Sequence, residues 1–228
     1  MKEHAIEILN SLGVDAVIKH LASGDPNLAP PELVEVFDQL LRHAYWQQKD
    51  LPGAIQIGQA GIALGEQLAS RFPEQTNEIK SQVKAIQYNL ASFTWPGWDE
   101  PGFEITPEQV RLGLAAAKQN LRLAIELKKA PLPLSRAYWM LGAQEMAVAD
   151  NSSARKDFAQ AEGFARQAGS QAEALLAQGF ALLATMLANP DDLALSSKLA
   201  EVKTGLANEK DGEFFVKQIE DAWRVFGS

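Results

Sequence analysis

The sequence predicts an all-α protein built from antiparallel helical hairpins. Three observations favour this class: Ala, Leu, Gln, Glu and Lys dominate, apolar residues recur at steps of three and four, and strand-like alternation is nearly missing. The dominant residues favour helices because they lose little side-chain freedom there. Steps of three and four place apolar side chains on one helix face. We therefore expect helices along most of the 228 residues.

Proline and capping residues mark several of the predicted helix ends. Pro31 fits a first helical turn, where its missing N–H group costs nothing. Asp50, Thr106 and Asn189 each stand one or two residues before a proline, and we expect them to cap helix starts. Gln109 follows Thr106 at the spacing of a capping box. The predicted helices are 3–11, 14–22, 31–48, 52–71, 74–93, 107–129, 133–149, 152–168, 170–188, 191–206 and 212–226.

Only two connections between the predicted helices are long, namely 23–30 and 94–105. Short connections make successive helices antiparallel neighbours. The chain is therefore predicted to form a run of helical hairpins.

A 34-residue pattern begins at Ser135 and has small residues where two helices would meet. Its positions 4, 7, 8, 20, 24 and 27 hold Tyr138, Leu141, Gly142, Ala154, Phe158 and Ala161. Gly142 would let the second helix approach the first closely, and Phe158 would fill the seam to the next helix. This pattern resembles the tetratricopeptide repeat, although Glu145 replaces the usual aromatic residue and Arg166 the usual proline.

A weaker copy of the pattern begins at Glu35. Its positions 7, 11, 20 and 27 hold Leu41, Tyr45, Ala54 and Gly61, while Asp38, Arg42 and Gly58 depart from it. A shift of 100 residues relates the two copies, pairing Asp50 with Asp150, Ala54 with Ala154 and Gly61 with Ala161.

The resemblance implies a right-handed superhelix of stacked hairpins, predicted as a single domain over 1–228. A compact all-helical bundle with chance matches is the alternative. The predicted segments are N-terminal helices 1–30, a repeat-like hairpin 35–68, an enlarged hairpin 69–134, the best repeat match 135–168, a hairpin 169–206 and a C-terminal capping helix 208–228.

The resemblance also implies which residues line a concave groove. In the family, first-helix positions 2, 5, 9, 12 and 13 face the groove. The candidates are Gln39, His43, Trp46 and Gln47 in the first unit, Arg136, Trp139 and Met146 in the second, and Tyr88 and Asn89 in the enlarged hairpin. Aromatic residues in a groove suit peptide or helix recognition. Alternatively, Trp46 and Trp139 are ordinary core residues. The family's Lys and Asn clamp for a C-terminal carboxylate is missing.

The loop 94–105 is rich in aromatic and acidic residues, and Trp95, Trp98 and Phe103 are its large side chains. Exposed aromatic residues in a long loop usually pack or bind something. One interpretation is a lid over a groove, with Trp95 and Trp98 as binding residues. The other is a loop pinned onto its own helices by these three rings.

Two further clusters have a structural and a functional interpretation. A basic stripe on one predicted helix is formed by Arg111, Lys118, Arg122 and Lys129. It would either bind an acidic segment of a partner or form a solvated face that is paired with residues such as Glu126. The glycines of the second cluster interrupt a predicted helix. A phosphate loop would follow a strand, and none is predicted upstream, so we favour close helix packing for these glycines. They are Gly53, Gly58, Gly61 and Gly65.

Composition excludes several kinds of chemistry. The chain has no cysteine, so a thiol nucleophile, a disulfide and a cysteine-ligated metal are impossible. A formal net charge of −8 disfavours nucleic acid. The start resembles no secretory signal, and apolar runs are shorter than a membrane span. We expect a cytoplasmic protein that has no cofactor or metal and binds neither nucleic acid nor membrane.

The leading functional hypothesis is a non-enzymatic scaffold or adaptor that binds a peptide or helix of a protein partner. No Ser-His-carboxylate or His-Glu-x-x-His arrangement supports catalysis. The alternative is a small-molecule sensor or all-helical enzyme that uses the loop 94–105 as a lid. A homodimer formed through an exposed end of the array is a further possibility, because solenoid ends need caps.

Overall fold

The computed structural model describes residues 2–24, 28–189 and 192–227, and every regular element in these ranges is helical. The eleven predicted helices are all present, with ends shifted by a few residues, and two short 3₁₀ turns occur at Pro73–Gln75 and Pro96–Trp98. The predicted all-α class is confirmed. The helices are α1 Lys2–Leu12, α2 Val14–Ala22, α3 Pro30–Trp46, α4 Leu51–Arg71, α5 Thr76–Phe93, α6 Pro107–Glu126, α7 Pro131–Ala147, α8 Asn151–Gln167, α9 Gln171–Ala188, α10 Leu193–Ala207 and α11 Gly212–Phe226.

Two of the predicted helix caps are confirmed. The Asp50 carboxylate accepts a hydrogen bond of 2.9 Å from the Gly53 backbone N–H. At the start of α6, Thr106 Oγ1 accepts from the Gln109 N–H at 3.2 Å, and Gln109 Oε1 accepts from the Thr106 N–H at 2.8 Å. These side chains satisfy N–H groups that have no partner inside the helix.

The prediction that Asn189 caps a helix start is wrong. Asn189 ends α9, and its backbone N–H donates to the Thr185 carbonyl. Asp192 caps α10 instead, by accepting a 3.0 Å hydrogen bond from the Ala194 N–H. Pro190, on which the prediction relied, lies outside the described residues.

The helices fall into two compact units, divided between Phe93 and Thr94. The first unit holds α1 to α5, where α3 packs against both α4 and α5. The second holds α6 to α11, where each helix packs against the next in sequence, from α6–α7 to α10–α11. In the second unit α11 also covers α9 and the 3₁₀ turn Pro96–Trp98.

In the first unit, glycines let α4 lie close to its neighbours. A Cβ atom added to Gly61 would lie 2.6 Å from the Cβ of Phe37 on α3, and one added to Gly58 would lie 2.8 Å from Leu90 Cδ2 on α5. Both distances are too short for a real contact. A larger residue at position 61 would push α3 and α4 apart, because the Cβ of Phe37 is fixed by its backbone, whereas at position 58 the Leu90 side chain would have to shift. The packing interpretation of these glycines accounts for their spacing.

In the second unit, the α7–α8 hairpin contains the best match to the repeat. A Cβ atom on Gly142 would lie 3.0 Å from the Phe158 ring, and Ala154, Phe158 and Ala161 are fully buried. The Phe158 ring lies 5.4 Å from the ring of Phe180 on α9. The small residues therefore allow close approach, and Phe158 fills the seam to the next helix.

The α3–α4 and α7–α8 turns share a local backbone conformation. Lys49 and Ala149 have left-handed φ values of 54° and 60°. The next residues, Asp50 and Asp150, cap α4 and α8 with their side chains. The 100-residue shift found in the sequence thus pairs a left-handed residue and an aspartate cap in the two turns.

The helix α9 is rich in apolar residues. By length and composition alone it could cross a membrane, and no other helix in the described ranges meets that test. Phe180, Leu183 and Ala184 are fully buried, and α9 packs against α8, α10 and α11. Much of its apolar surface is therefore used in the core of the second unit.

Candidate functional site

Three of the predicted groove residues share one face of α3. Gln39, His43 and Trp46 follow each other at steps of four and three, which align side chains on a helix. The Trp46 side chain is 50% exposed, whereas Gln39 and His43 are half-buried. Gln47 follows the last residue of α3 and is exposed. We call these four residues the Trp46 surface.

Two buried rings support the Trp46 indole. Tyr45 and Phe93 are stacked with parallel planes and a centroid distance of 3.8 Å. Trp46 meets Tyr45 edge to face at 4.7 Å and Phe93 at 5.8 Å. The Lys49 ammonium lies 5.6 Å from the Trp46 ring centroid, within reach of a cation–π interaction. The two rings thus hold the indole on one side, and half of the residue remains exposed to solvent.

Polar side chains from α1 border the Trp46 surface. Asn10 Oδ1 lies 3.4 Å from His43 Nε2 and accepts a 2.8 Å hydrogen bond from Gln48 Nε2. These contacts hold the end of α1 against the end of α3. Leu12, two residues after Asn10, is one of the exposed large apolar side chains of the first unit.

The predicted candidates Tyr88 and Asn89 lie on α5 and are half-buried. Asn89 Nδ2 donates a 2.7 Å hydrogen bond to Asp38 Oδ1, and Arg42 forms a 2.9 Å ion pair with the other oxygen of Asp38. Burial raises the pKa of Asp38, although Arg42 and Asn89 favour its charged form. The Asn89 amide therefore satisfies a buried carboxylate inside the first unit.

In the second unit, the predicted groove residues of α7 are occupied by packing. Trp139 is 7% exposed and Met146 is buried. Arg136 is exposed, but its guanidinium donates hydrogen bonds of 3.0 and 2.6 Å to Glu173 Oε1 on α9. Trp139 and Met146 offer almost no surface to a partner, in agreement with the alternative that Trp139 is a core residue.

The aromatic loop is held by its own unit. Trp95 is buried, and its indole N–H donates a 2.8 Å hydrogen bond to the Ala143 carbonyl on α7. The half-buried Trp98 ring meets Trp95 at 4.8 Å. Arg224 on α11 forms an ion pair with Asp99. These contacts match the interpretation of a loop pinned onto its helices.

The basic stripe is shorter than predicted. Arg111, Lys118 and Arg122 are exposed on α6, and Arg122 pairs with Glu126 at 3.0 Å as expected. The helix ends at Glu126, however, so the prediction that Lys129 lies on the same helix is wrong. The left-handed backbone at Lys128 has turned the chain before Lys129 is reached.

Two features of the side-chain arrangement were missed by sequence reasoning. The Tyr45–Phe93 stack joins residues distant in sequence, and no local pattern reveals such a contact. Glu145 lies beside Asp157 across the α7–α8 hairpin. The sequence did contain a signal for the second feature, because Glu145 is a charged residue at a position where the repeat has an aromatic residue. In the described ranges, no group of three or more His, Asp or Glu side chains could hold a metal ion.

Comparison with known proteins places the chain in no family. No family model matches it, and no solved structure matches it. A partial similarity links it to galactose/methyl galactoside import ATP-binding protein MglA 2 of Photobacterium profundum, at 30% identity over 94 residues. The matched region is 39% of this chain and spans only 18% of the curated relative's length.

Proposed function

We propose that this chain is a non-enzymatic scaffold that binds a peptide or helix of a protein partner at the Trp46 surface. The observation that carries the proposal is the half-exposed Trp46 indole, held against the buried Tyr45–Phe93 stack. Large, rigid aromatic side chains dominate the binding energy of many protein interfaces, because they bury much area for little lost side-chain freedom.

The polar residues around Trp46 fit this role. His43 and Gln39 lie on the same face of α3 at half-burial, and Gln47 is exposed beside it. An aromatic anchor with hydrogen-bonding neighbours matches the usual arrangement of a protein interface, in which an apolar centre is surrounded by polar residues. The Lys49 cation over the indole adds a positive charge next to the anchor.

A tetratricopeptide-like right-handed superhelix is the architecture we propose for the array. Its support is local. The two hairpins share a left-handed residue followed by an aspartate cap, at Lys49–Asp50 and Ala149–Asp150. Gly142 also lies against Phe158 as the repeat requires. A cytoplasmic location and a possible homodimer belong to the same proposal.

ATP binding does not enter the proposal, although the partial relative is named as an ATP-binding protein. A P-loop ends in Gly-Lys followed by Ser or Thr, and the Gly-Lys dipeptide does not occur in this sequence. A P-loop also follows a strand, whereas α4 with its glycines follows the helix α3. Gly58 and Gly61 are packed against Leu90 and Phe37.

The test begins with affinity capture from the native cell, followed by reconstitution with the purified candidate partner. Trp46→Ala is compared with Phe214→Ala, which removes another strongly exposed aromatic side chain from the second unit. We expect Trp46→Ala to weaken binding at least 30-fold, corresponding to the roughly 2 kcal/mol loss at an interface hot spot. Phe214→Ala should bind like the unsubstituted chain.

Circular dichroism and thermal unfolding of both variants show whether the fold survives. Unchanged affinity of a folded Trp46→Ala variant would remove the Trp46 surface from the proposal. Equal weakening by both substitutions would indicate nonspecific aromatic contact and would contradict the assignment as well.

A further inference from the structure

Two carboxyl groups lie side by side across the α7–α8 hairpin. Glu145 is on α7 and Asp157 on α8, both half-buried, and their carboxyl groups are within hydrogen-bonding reach of each other. Glu145 Oε2 is buried, and no N–H or hydroxyl group of the described residues donates to it. Two ionised carboxylates would repel at this separation, whereas one proton between them makes a hydrogen bond.

Burial is the largest cause that raises the pKa of both carboxyl groups, and the charged groups nearby act in both directions. Asp150, in the turn between α7 and α8, adds a third negative charge that raises the pKa of both Glu145 and Asp157. Lys118 on α6 opposes this for Glu145, and Lys156 on α8 opposes it for Asp157. Asp150 and both lysines are exposed, so solvent weakens all three effects.

We propose that Glu145 and Asp157 share one proton and thereby form a pH-sensitive lock, which holds the α7–α8 hairpin most tightly in acidic solution and loosens progressively as the pH rises. The position is critical for such a device, because α7 packs against both α6 and α8. In the repeat pattern, Glu145 also occupies a site that normally holds a packing aromatic residue. The Glu145 carboxyl is half-buried, so a charge there carries a desolvation cost.

Burial is the main reason that the pKa of Glu145 rises to about 8, and the neighbouring Asp157 charge adds to it. In the unfolded chain a glutamate loses its proton near pH 4.5. Between about pH 4.5 and 8 the folded hairpin therefore holds a proton that the unfolded chain has released. Raising the pH in this window favours opening by up to tenfold per pH unit for one proton, and the effect levels off above pH 8.

The first experiment follows the Glu145 carboxyl carbon by NMR in the complete chain as the pH is raised. We expect its titration midpoint near pH 8, and a fall toward the ordinary glutamate range in Asp157→Asn, which removes the neighbouring negative charge. A midpoint in the ordinary range in the unsubstituted chain would overturn the shared proton and the lock together.

The second experiment measures amide hydrogen exchange of α7 and α8 at several pH values, corrected for the intrinsic exchange rates. The opening constant should rise with pH in the unsubstituted chain and become flatter in Glu145→Gln, whose amide donates to Asp157 without titrating. Glu162→Gln is the control, since Glu162 lies on α8 but pairs with Arg166 at 2.7 Å. The α3–α4 hairpin is an internal reference.

Parallel pH profiles for Glu145→Gln and the unsubstituted chain would overturn the lock. The same conclusion would follow if α3–α4 opened as steeply as α7–α8, because the response would then be global. A raised Glu145 midpoint without any change in hydrogen exchange would also overturn the lock, because the shared proton would then have no effect on the hairpin.

Discussion

Gly61 on α4 lies directly against Phe37 on α3, so closely that a Cβ atom on Gly61 would come within 2.6 Å of the Cβ of Phe37 and 2.9 Å of its Cγ. The Cβ of Phe37 is fixed by its backbone and cannot move aside by a change of rotamer. The separation of α3 and α4 at this point is therefore set by the absence of one carbon atom.

Gly61→Ala should destabilise the first unit by about 1–2 kcal/mol, because the cost of overpacking exceeds the gain in helix propensity. Gly163→Ala is the matched control. Gly163 is exposed on α8 with no atom within 4 Å of an added Cβ, so alanine there should stabilise by about 0.5–1 kcal/mol. Urea unfolding of both variants measures whether each substitution lowers or raises the free energy of unfolding. Stabilisation by both substitutions would show that α3 and α4 are not in close contact.

Sequence reasoning predicted the helices because their signals are local. The capping box of Thr106 and Gln109 and the aspartate cap at Asp50 depend on residues three positions apart, and both were found. The wrong prediction at Asn189 also depended on a local signal. Two capping residues, Asn189 and Asp192, lie close together there, and Asp192 caps the helix. The end of α6 was placed too late because the left-handed turn at Lys128 is not marked by a glycine.

Ala149→Gly should stabilise the α7–α8 hairpin by about 0.5–1 kcal/mol, because φ at Ala149 is 60° and a Cβ atom is unfavourable there. The chain uses glycine at the corresponding place after α8, where Gly169 has φ of 70°. Ala168→Gly is the control, since Ala168 has a right-handed backbone and the change only adds unfolded-state freedom. Thermal unfolding should show a higher midpoint for the first variant and a lower one for the second.

The candidate site was predicted only in part, because the pattern of one helix does not reveal which face is covered. Trp46 and Trp139 both occupy predicted groove positions of the repeat pattern, at position 12 of the first unit and position 5 of the second. Trp46 contacts the Tyr45–Phe93 stack on one side and stays half-exposed, while Trp139 is covered by rings such as Phe158 and Phe180. These covering residues come from other helices, so the difference arises at the level of packing.

Trp139→Ala should cost about 3–5 kcal/mol, the usual range for truncating a buried aromatic residue. Trp46→Ala should cost only about 1–2 kcal/mol, because half of its side chain already meets solvent. Denaturant unfolding of the two variants measures the difference. The dependence of the unfolding free energy on denaturant concentration, the m-value, should be the same in both variants. Equal losses, or a larger loss for Trp46, would contradict the assignment of Trp139 to the core and of Trp46 to the surface.

The helix α11 should stabilise the second unit through Ile219, which is buried beside Gly179 of α9. A Cβ atom on Gly179 would lie 2.6 Å from Ile219 Cδ1, so Ile219 fills the space that this glycine leaves. Ile219→Ala should therefore cost about 2–4 kcal/mol. Phe214→Ala, at a side chain that is 61% exposed, should stay within about 0.5 kcal/mol.

Deletion of residues 208–228 tests the same cap as a whole. It would remove Ile219 together with Phe226, whose ring lies 6.1 Å from the buried Trp95, and would uncover apolar surface on α9 and beside the aromatic loop. The truncated chain should lose solubility and unfold at a lower temperature, because a newly exposed apolar patch favours association. Analytical ultracentrifugation and thermal unfolding measure both effects, with Phe214→Ala as the control that leaves the cap in place. A truncated chain that keeps the association state and the unfolding temperature of the complete chain would show that α11 is not a cap.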